Sequence, residues 1–152
     1  MNITQHFTLE EVQKSNTATR LGIDNSVPSE LMENVKRMCQ KLEEVRSMFN
    51  RPIIISSFYR CPELNAKVGG SKTSAHMNGL ACDFLVSGKF PHTVFDIIRD
   101  STMVFDQLIL ESSSNGSIWV HLGIEKEASQ PRQMIMYGSK TDDGSIFRVA
   151  NG

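Results

Sequence analysis

The 152-residue sequence is poor in features that would place it in several common classes of protein. It has no apolar run of membrane-spanning length, and its first residues, MNITQHFTLEE, lack the basic patch and apolar core of a secretory signal. The formal net charge is only -1, so we expect neither nucleic acid nor an anionic membrane as a partner. The cysteines lack metal-type CxxC spacing, and we interpret Cys39, Cys61 and Cys82 as free thiols in a chain made in the cytosol.

The remaining composition is that of an ordinary folded protein, with 39% hydrophobic and 22% charged residues. This balance argues against disorder, and the length suits one domain with a real core. We find no internal repeat, linker or low-complexity segment. We therefore predict a single domain over residues 1–152, and we expect it to be a monomer.

Helices are predicted in three places. Thr8 followed by Glu11 forms a capping box that starts a short helix. Residues 28–49 carry apolar side chains at helical steps of three and four, and a third helix covers residues 91–100. We interpret residues 16–28 as a loop.

Five short apolar segments predict β-strands: PIIISS, LACDFLV, FDQLILES, SIWVHLGI and, as the last strand, RQMIMYG. The third and fourth of them are joined by the polar stretch SSSNG, which predicts a hairpin. Helices come first and a small sheet interrupted by a helix follows. The order predicts an α+β fold with a mainly antiparallel sheet packed against N-terminal helices.

Three residues stand out as candidate metal ligands. His76 and Asp83 lie in the stretch SAHMNGLACDF, with small residues between them, and His121 lies in an apolar strand. Taken singly, a loop histidine, a strand-end acid and a strand histidine are usually structural. Together, two imidazoles and one carboxylate are a standard ligand set for catalytic zinc, and they leave a fourth position open.

The sequence pattern around these residues resembles a known family. Ser-x-His-x-x-Gly-x-Ala-x-Asp, which stands here over residues 74–83, resembles the signature of zinc D-Ala-D-Ala carboxypeptidases. Their relatives include vancomycin-resistance D,D-dipeptidases, phage L-alanyl-D-glutamate endolysins and the hedgehog signalling domain. The stretches ISSFYR, LNAKVGGSKTSAH and WVHLGI resemble further parts of these proteins, and the resemblance covers about residues 7–137.

This resemblance implies a hedgehog/D-Ala-D-Ala-peptidase-like fold and a zinc cofactor. It implies that His76, Asp83 and His121 are the zinc ligands. It also implies a zinc-dependent peptidase that hydrolyses peptidoglycan stem peptides, as a D,D-carboxypeptidase or an endopeptidase of cell-wall lytic type.

The chain departs from many relatives at one position. They carry an acid three residues before the last histidine, where this sequence has Ile118. One consequence would be a metal-bearing but inactive cell-wall-binding domain, or a phage structural domain. The other is that Glu111, at the end of the preceding strand, is the catalytic base, an arrangement similar to that in hedgehog and some phage-type relatives.

Three more residues are predicted to contact substrate. Arg60 ends the ISSFYR stretch, and a guanidinium can hold a substrate carboxylate with two hydrogen bonds. Ser74 lies two residues before the first candidate ligand and could orient it or the substrate. Trp119 could line the cleft or pack beneath the site. The absence of a visible signal peptide suits a phage or prophage protein that acts on the cell wall after release.

Overall fold

A computed structural model describes residues 1–141 and 144–150 of the chain. The helices are α1 (Leu9–Gln13), α2 (Asn16–Leu21), α3 (Met32–Phe49), α4 (Pro62–Lys67) and α5 (Pro91–Asp100). The strands are β1 (Ile53–Ser57), β2 (Ala81–Val86), β3 (Gln107–Ser113), β4 (Ile118–Gly123), β5 (Met134–Thr141) and β6 (Gly144–Val149). Within this described part, no helix has both the length and the apolar character needed to cross a bilayer.

The six strands form one sheet in the order β1-β2-β4-β3-β5-β6. Neighbouring strands are antiparallel except β3 and β5, which run parallel. The fold is therefore α+β with a mainly antiparallel sheet and N-terminal helices, as the sequence predicts. The predicted hairpin is also present, since β3 and β4 pair antiparallel around the polar turn.

The N-terminal segment confirms one prediction and corrects another. The Thr8 hydroxyl accepts a hydrogen bond from the Glu11 backbone, and the Glu11 carboxylate accepts one from the Thr8 backbone, which is the predicted capping box. The interpretation of residues 16–28 as a loop is wrong for its first six residues, which form α2. This short helix is capped by the Ser15 hydroxyl and ends at Gly22, whose φ is 68°.

The sheet also extends one strand further than predicted. The segment RQMIMYG, interpreted as the last strand, becomes β5, and β6 follows it as an antiparallel edge strand. The apolar residues Ile146 and Val149 lie on opposite faces of β6, and both are exposed. The segment therefore lacks the buried, alternating face by which a strand is recognised in a sequence.

The two faces of the sheet have different roles. One face carries apolar side chains from β2, β3 and β4 that pack against α3 and α5 to form the core. Its fully buried members include Phe84, Leu108, Val120 and Leu122. Because side chains alternate along a strand, residues one position away lie on the opposite face. That face holds Asp83, Glu111 and His121.

Candidate metal centre and cleft

His76 is held by a 3-10 turn, Ala75–Asn78, that lies just before β2. The Nδ1–H of its ring donates a hydrogen bond to the carbonyl oxygen of Phe58 over 2.6 Å. The ring therefore turns Nε2 towards Asp83, whose Oδ1 is 3.3 Å away. Such a bond to the far ring nitrogen fixes the tautomer and the orientation of a metal-ligating histidine.

Gly79 ends the turn that carries His76. Its φ is 69°, and its backbone N–H donates to the carbonyl oxygens of Ala75 and His76. A Cβ placed on Gly79 would lie 2.8 Å from Cγ2 of Val35. The glycine therefore allows both the left-handed conformation and the close packing of the turn on α3.

Asp83 and His121 lie directly opposite each other on the neighbouring strands β2 and β4. Asp83 Oδ1 is 2.8 Å from His121 Nδ1. The other ring nitrogen, Nε2, lies 3.4 Å from the side-chain oxygen of Gln107, which accepts its hydrogen. Both histidines thus point one nitrogen at the same carboxylate and bind a protein oxygen with the other.

The three side chains have the donor atoms and spacing of a metal site. One ligand atom from each of His76, Asp83 and His121 lies within 4.8 Å of the others, and all three residues are buried. Buried charged groups in proteins are paired with one another or bind a metal ion. Two imidazole nitrogens and one carboxylate oxygen suit a tetrahedral divalent ion with one position left open.

The protonation of these groups also suits metal binding. Burial opposes the charge on Asp83, but His76 and His121 hold the pKa of the carboxyl well below its usual range. Burial lowers the pKa of His76, which favours the neutral ring. Burial would also lower the pKa of His121, but its bond to Asp83 raises it, so a metal ion must displace a proton there.

Glu111 lies beside the candidate ligands, on β3. Its Oε1 is 3.4 Å from His121 Nδ1, and the residue is only 5% exposed. Burial and the nearby charge of Asp83 raise the pKa of Glu111, although His121, Lys140 and Arg60 act in the opposite direction. A buried carboxyl with a raised pKa is suited to accept and return a proton near neutral pH.

Ile118, at the position where many relatives have an acid, faces away from the site. It packs against the hydrophobic core and lies three residues before His121 on the regular strand β4. Side chains three positions apart on a strand point to opposite faces. In this strand an acid at position 118 would not reach the ligands, whereas Glu111 does.

Arg60 lies near Asp83 and Glu111 and is 8% exposed. Its backbone N–H donates to the carbonyl oxygen of His76, which ties it to the turn. Burial lowers the pKa of Arg60, and the charges of Asp83 and Glu111 oppose that effect. Its Nε has no hydrogen-bond partner among the described residues, so a buried donor at the site is left for a bound group.

The candidate ligands open into a cleft of about 530 Å³. Arg60, Ser74 and Glu111 all line it, and the Ser74 hydroxyl accepts a hydrogen bond from the His76 backbone at 3.3 Å. Trp119 lies opposite Glu111 on β4 but is not among the lining residues. Of the predicted site residues, the structure therefore brings all to the cleft except Trp119.

Several lining residues were not predicted from the sequence. Gln107 contacts His121 and lies on the same face of β3 as Glu111, so strand alternation could have identified it. Met136, Lys140 and Phe147 come from β5 and β6. The segment RQMIMYG predicts β5 as a strand, but no pattern in the sequence places β5 or β6 next to the site.

A comparison with protein-family models matches residues 5–122 to a family described as peptidase M15. A comparison with curated proteins gives no match. The family match covers well over half of the chain, from α1 to β4, and includes His76, Asp83, Glu111 and His121. The chain therefore belongs to the peptidase M15 family, a family of metallopeptidases.

Proposed function

We propose that the protein is a zinc-dependent peptidase that hydrolyses peptidoglycan stem peptides. The observation that carries this proposal is the buried group of His76, Asp83 and His121, with Glu111 beside it, at the floor of a cleft. Family membership supports a metallopeptidase. Zinc itself and the peptide substrate are our inference from the ligand chemistry and from the resemblance of the sequence motifs.

The donor set agrees with zinc, since His76, Asp83 and His121 would supply three ligands and leave the fourth position to water or substrate. The chemistry that zinc supplies at such a site is Lewis acidity, which polarises a peptide carbonyl and makes water nucleophilic near neutral pH. The hydrogen bonds to Phe58 and Gln107 would keep both imidazoles in the ligating orientation.

Glu111 would take a proton from the attacking water as the water oxygen bonds to the carbonyl carbon. The same carboxyl would then return the proton to the amine nitrogen as the carbon–nitrogen bond breaks. Arg60, whose buried Nε has no hydrogen-bond partner in the part of the chain that the structure describes, would hold a substrate carboxylate. The hydroxyl of Ser74, at the cleft wall, would help to orient the peptide.

The expected biological role is cell-wall lysis, with cleavage by a D,D-carboxypeptidase or endopeptidase activity. We further propose that the chain is a phage or prophage protein that meets the cell wall after release, and that it acts as a monomer without nucleic acid. The competing proposal is a metal-bearing but inactive domain that binds cell wall or builds a phage particle. The position of Glu111 favours the enzyme.

The test is to incubate zinc-loaded protein with purified muropeptides and identify the products by mass spectrometry. We expect release of a terminal amino acid or of a cross-link fragment, loss of cleavage on chelation, and recovery when zinc is returned. Cleavage that survives complete removal of metal would refute the zinc mechanism. Binding of muropeptides without cleavage would favour the inactive domain.

A further inference from the structure

The β5–β6 hairpin forms a side of the cleft that the family match does not include. The match ends at residue 122, whereas the two strands of the hairpin are Met134–Thr141 and Gly144–Val149. The hairpin nevertheless supplies Met136, Lys140 and Phe147 to the cleft lining. One wall of the candidate active site is therefore built by residues outside the matched part of the chain.

The ring of Phe147, on β6, packs over a glycine on the neighbouring strand β5. A Cβ on Gly138 would lie 2.8 Å and 2.9 Å from two ring carbons of Phe147, and 3.2 Å from Ile109 Cγ2. The φ of Gly138 is not positive, so glycine is not required here by the backbone conformation. It is required by the space that the Phe147 ring occupies. The ring thus lies over bare backbone next to Ile109, and it remains 48% exposed in the cleft.

Lys140 adds a positive charge to the same wall. It lies two residues after Gly138 on β5 and shares a sheet face with Glu111, because β3 and β5 pair in parallel register. Its Nζ is 5.9 Å from the centre of the Trp119 ring, and the side chain is partly buried. The hairpin therefore contributes both an apolar ring and an ammonium-bearing side chain to the cleft lining.

Lys140 and Arg60 come from elements on opposite sides of the strands that carry the candidate ligands. Arg60 follows β1, whereas Lys140 belongs to β5, and the strands between them, β2, β4 and β3, carry Asp83, His121 and Glu111. A peptide that crosses the site would meet one cation before the reacting centre and one after it.

We infer that the β5–β6 hairpin determines which peptides the cleft accepts. Phe147 contacts an apolar part of the substrate, and Lys140 pairs with an anionic group on the far side of the cleaved bond from Arg60. This inference rests on the proposed peptidase function. It narrows the substrate class to peptides that carry an acidic group on each side of the cleaved bond.

The test uses four synthetic peptides that share one cleavable bond with a carboxylate on each side of it. One peptide keeps both carboxylates, two peptides have one or the other converted to an amide, and the fourth has both converted. Lys140→Met and Phe147→Ala are compared with Lys89→Met and Phe90→Ala, which change an exposed lysine and an exposed phenylalanine outside the cleft lining. KM and kcat are measured for each peptide. Binding of the same peptides to metal-free protein is measured by calorimetry.

Lys140→Met should raise KM about fivefold for peptides with the carboxylate on its side, with little change in kcat. It should leave KM unchanged for peptides that are amidated at that position. Phe147→Ala should raise KM about eightfold for all four peptides, if the substrate covers roughly 50 Å² of the ring. The two control variants should match the unchanged protein. Calorimetry should show the same ratios in the dissociation constants.

Two results would overturn this inference. One is an equal effect of Lys140→Met on carboxylate and amide peptides, and the other is an effect of either hairpin variant no larger than that of its control. Failure of the proposed function looks different, because the unchanged protein would then cleave no peptide. In that case the calorimetric ratios still decide whether the hairpin selects acidic peptides.

Discussion

We predict that Gly79→Ala destabilises the metal-free protein by about 3 kcal/mol. Two costs add at this position. An alanine in the left-handed region, here at a φ of 69°, costs roughly 1–2 kcal/mol. Its methyl group would also lie 2.8 Å from Cγ2 of Val35, a fully buried residue of α3, and overpacking of this kind costs about 1–3 kcal/mol.

The control for this prediction is Gly22→Ala. Gly22 has nearly the same φ, 68°, but nothing lies within 4 Å of its added Cβ. This variant should pay only the backbone cost of roughly 1–2 kcal/mol. Unfolding by urea, followed for both variants without metal, gives the two free energies of unfolding. Equal losses would mean that Val35 moves aside without cost, and the packing argument would be wrong.

The same substitution should affect metal binding, because Gly79 ends the turn that carries His76. A shift of that turn moves Nε2 of His76 relative to Asp83. We therefore expect Gly79→Ala to weaken zinc binding, and Gly22→Ala to leave it unchanged. Unchanged zinc affinity in a destabilised Gly79→Ala protein would show that the turn adjusts without moving the ligand.

Three further predictions concern single side chains. His121→Ala should lose most of the bound zinc by metal analysis, since it removes one of three ligands, and full retention would exclude His121 from the site. Arg60→Ala should weaken cleavage of peptides with a free carboxylate by a few kcal/mol at most and amidated ones far less, whereas equal losses would exclude carboxylate recognition. Glu43 lies in a hydrogen-bonded network with His6 and Thr4. Burial acts to raise the pKa of its carboxyl, but the hydrogen bonds from His6 and Thr4 outweigh burial and lower that pKa. Because the folded pKa is below the unfolded one, this stabilisation is present at neutral pH and lost as the pH falls. Glu43→Gln should therefore reduce the free energy of unfolding by up to about 1 kcal/mol at pH 7 and by progressively less as the pH falls; a loss independent of pH would contradict this account.

The sequence predicts the elements whose pattern is strong and local. Helix α3 has a long apolar face, and β2 and β4 have apolar side chains on alternate positions, so their place in the core follows from periodicity. Helix α2 is short and polar, and only its Ser15 cap and Gly22 indicate it. Strand β6 lies at an edge, and its apolar residues Ile146, Phe147 and Val149 do not alternate regularly with polar ones, so periodicity alone does not indicate it.

The residues of the candidate site also differ in whether the sequence alone indicates them. His76, Asp83 and His121 could be grouped from their chemistry and motif, although 38 residues separate Asp83 from His121 in the chain. The question raised by Ile118 needs the structure, because it depends on which face of β4 each side chain takes. The roles inferred for Lys140 and Phe147 could not be predicted, because the parallel pairing of β3 with β5 is a non-local contact without a sequence signal.

The most direct test of the central claim is to measure zinc content and peptide turnover together in Glu111→Gln. The change keeps the size of the side chain and removes the proposed base, while His76, Asp83 and His121 remain. The matched control is Glu127→Gln, at an exposed position outside the cleft lining. We predict about one zinc per chain in both variants, full turnover in the control, and a loss of turnover of at least roughly a hundredfold in Glu111→Gln. Near-normal turnover in zinc-loaded Glu111→Gln would contradict the proposed mechanism.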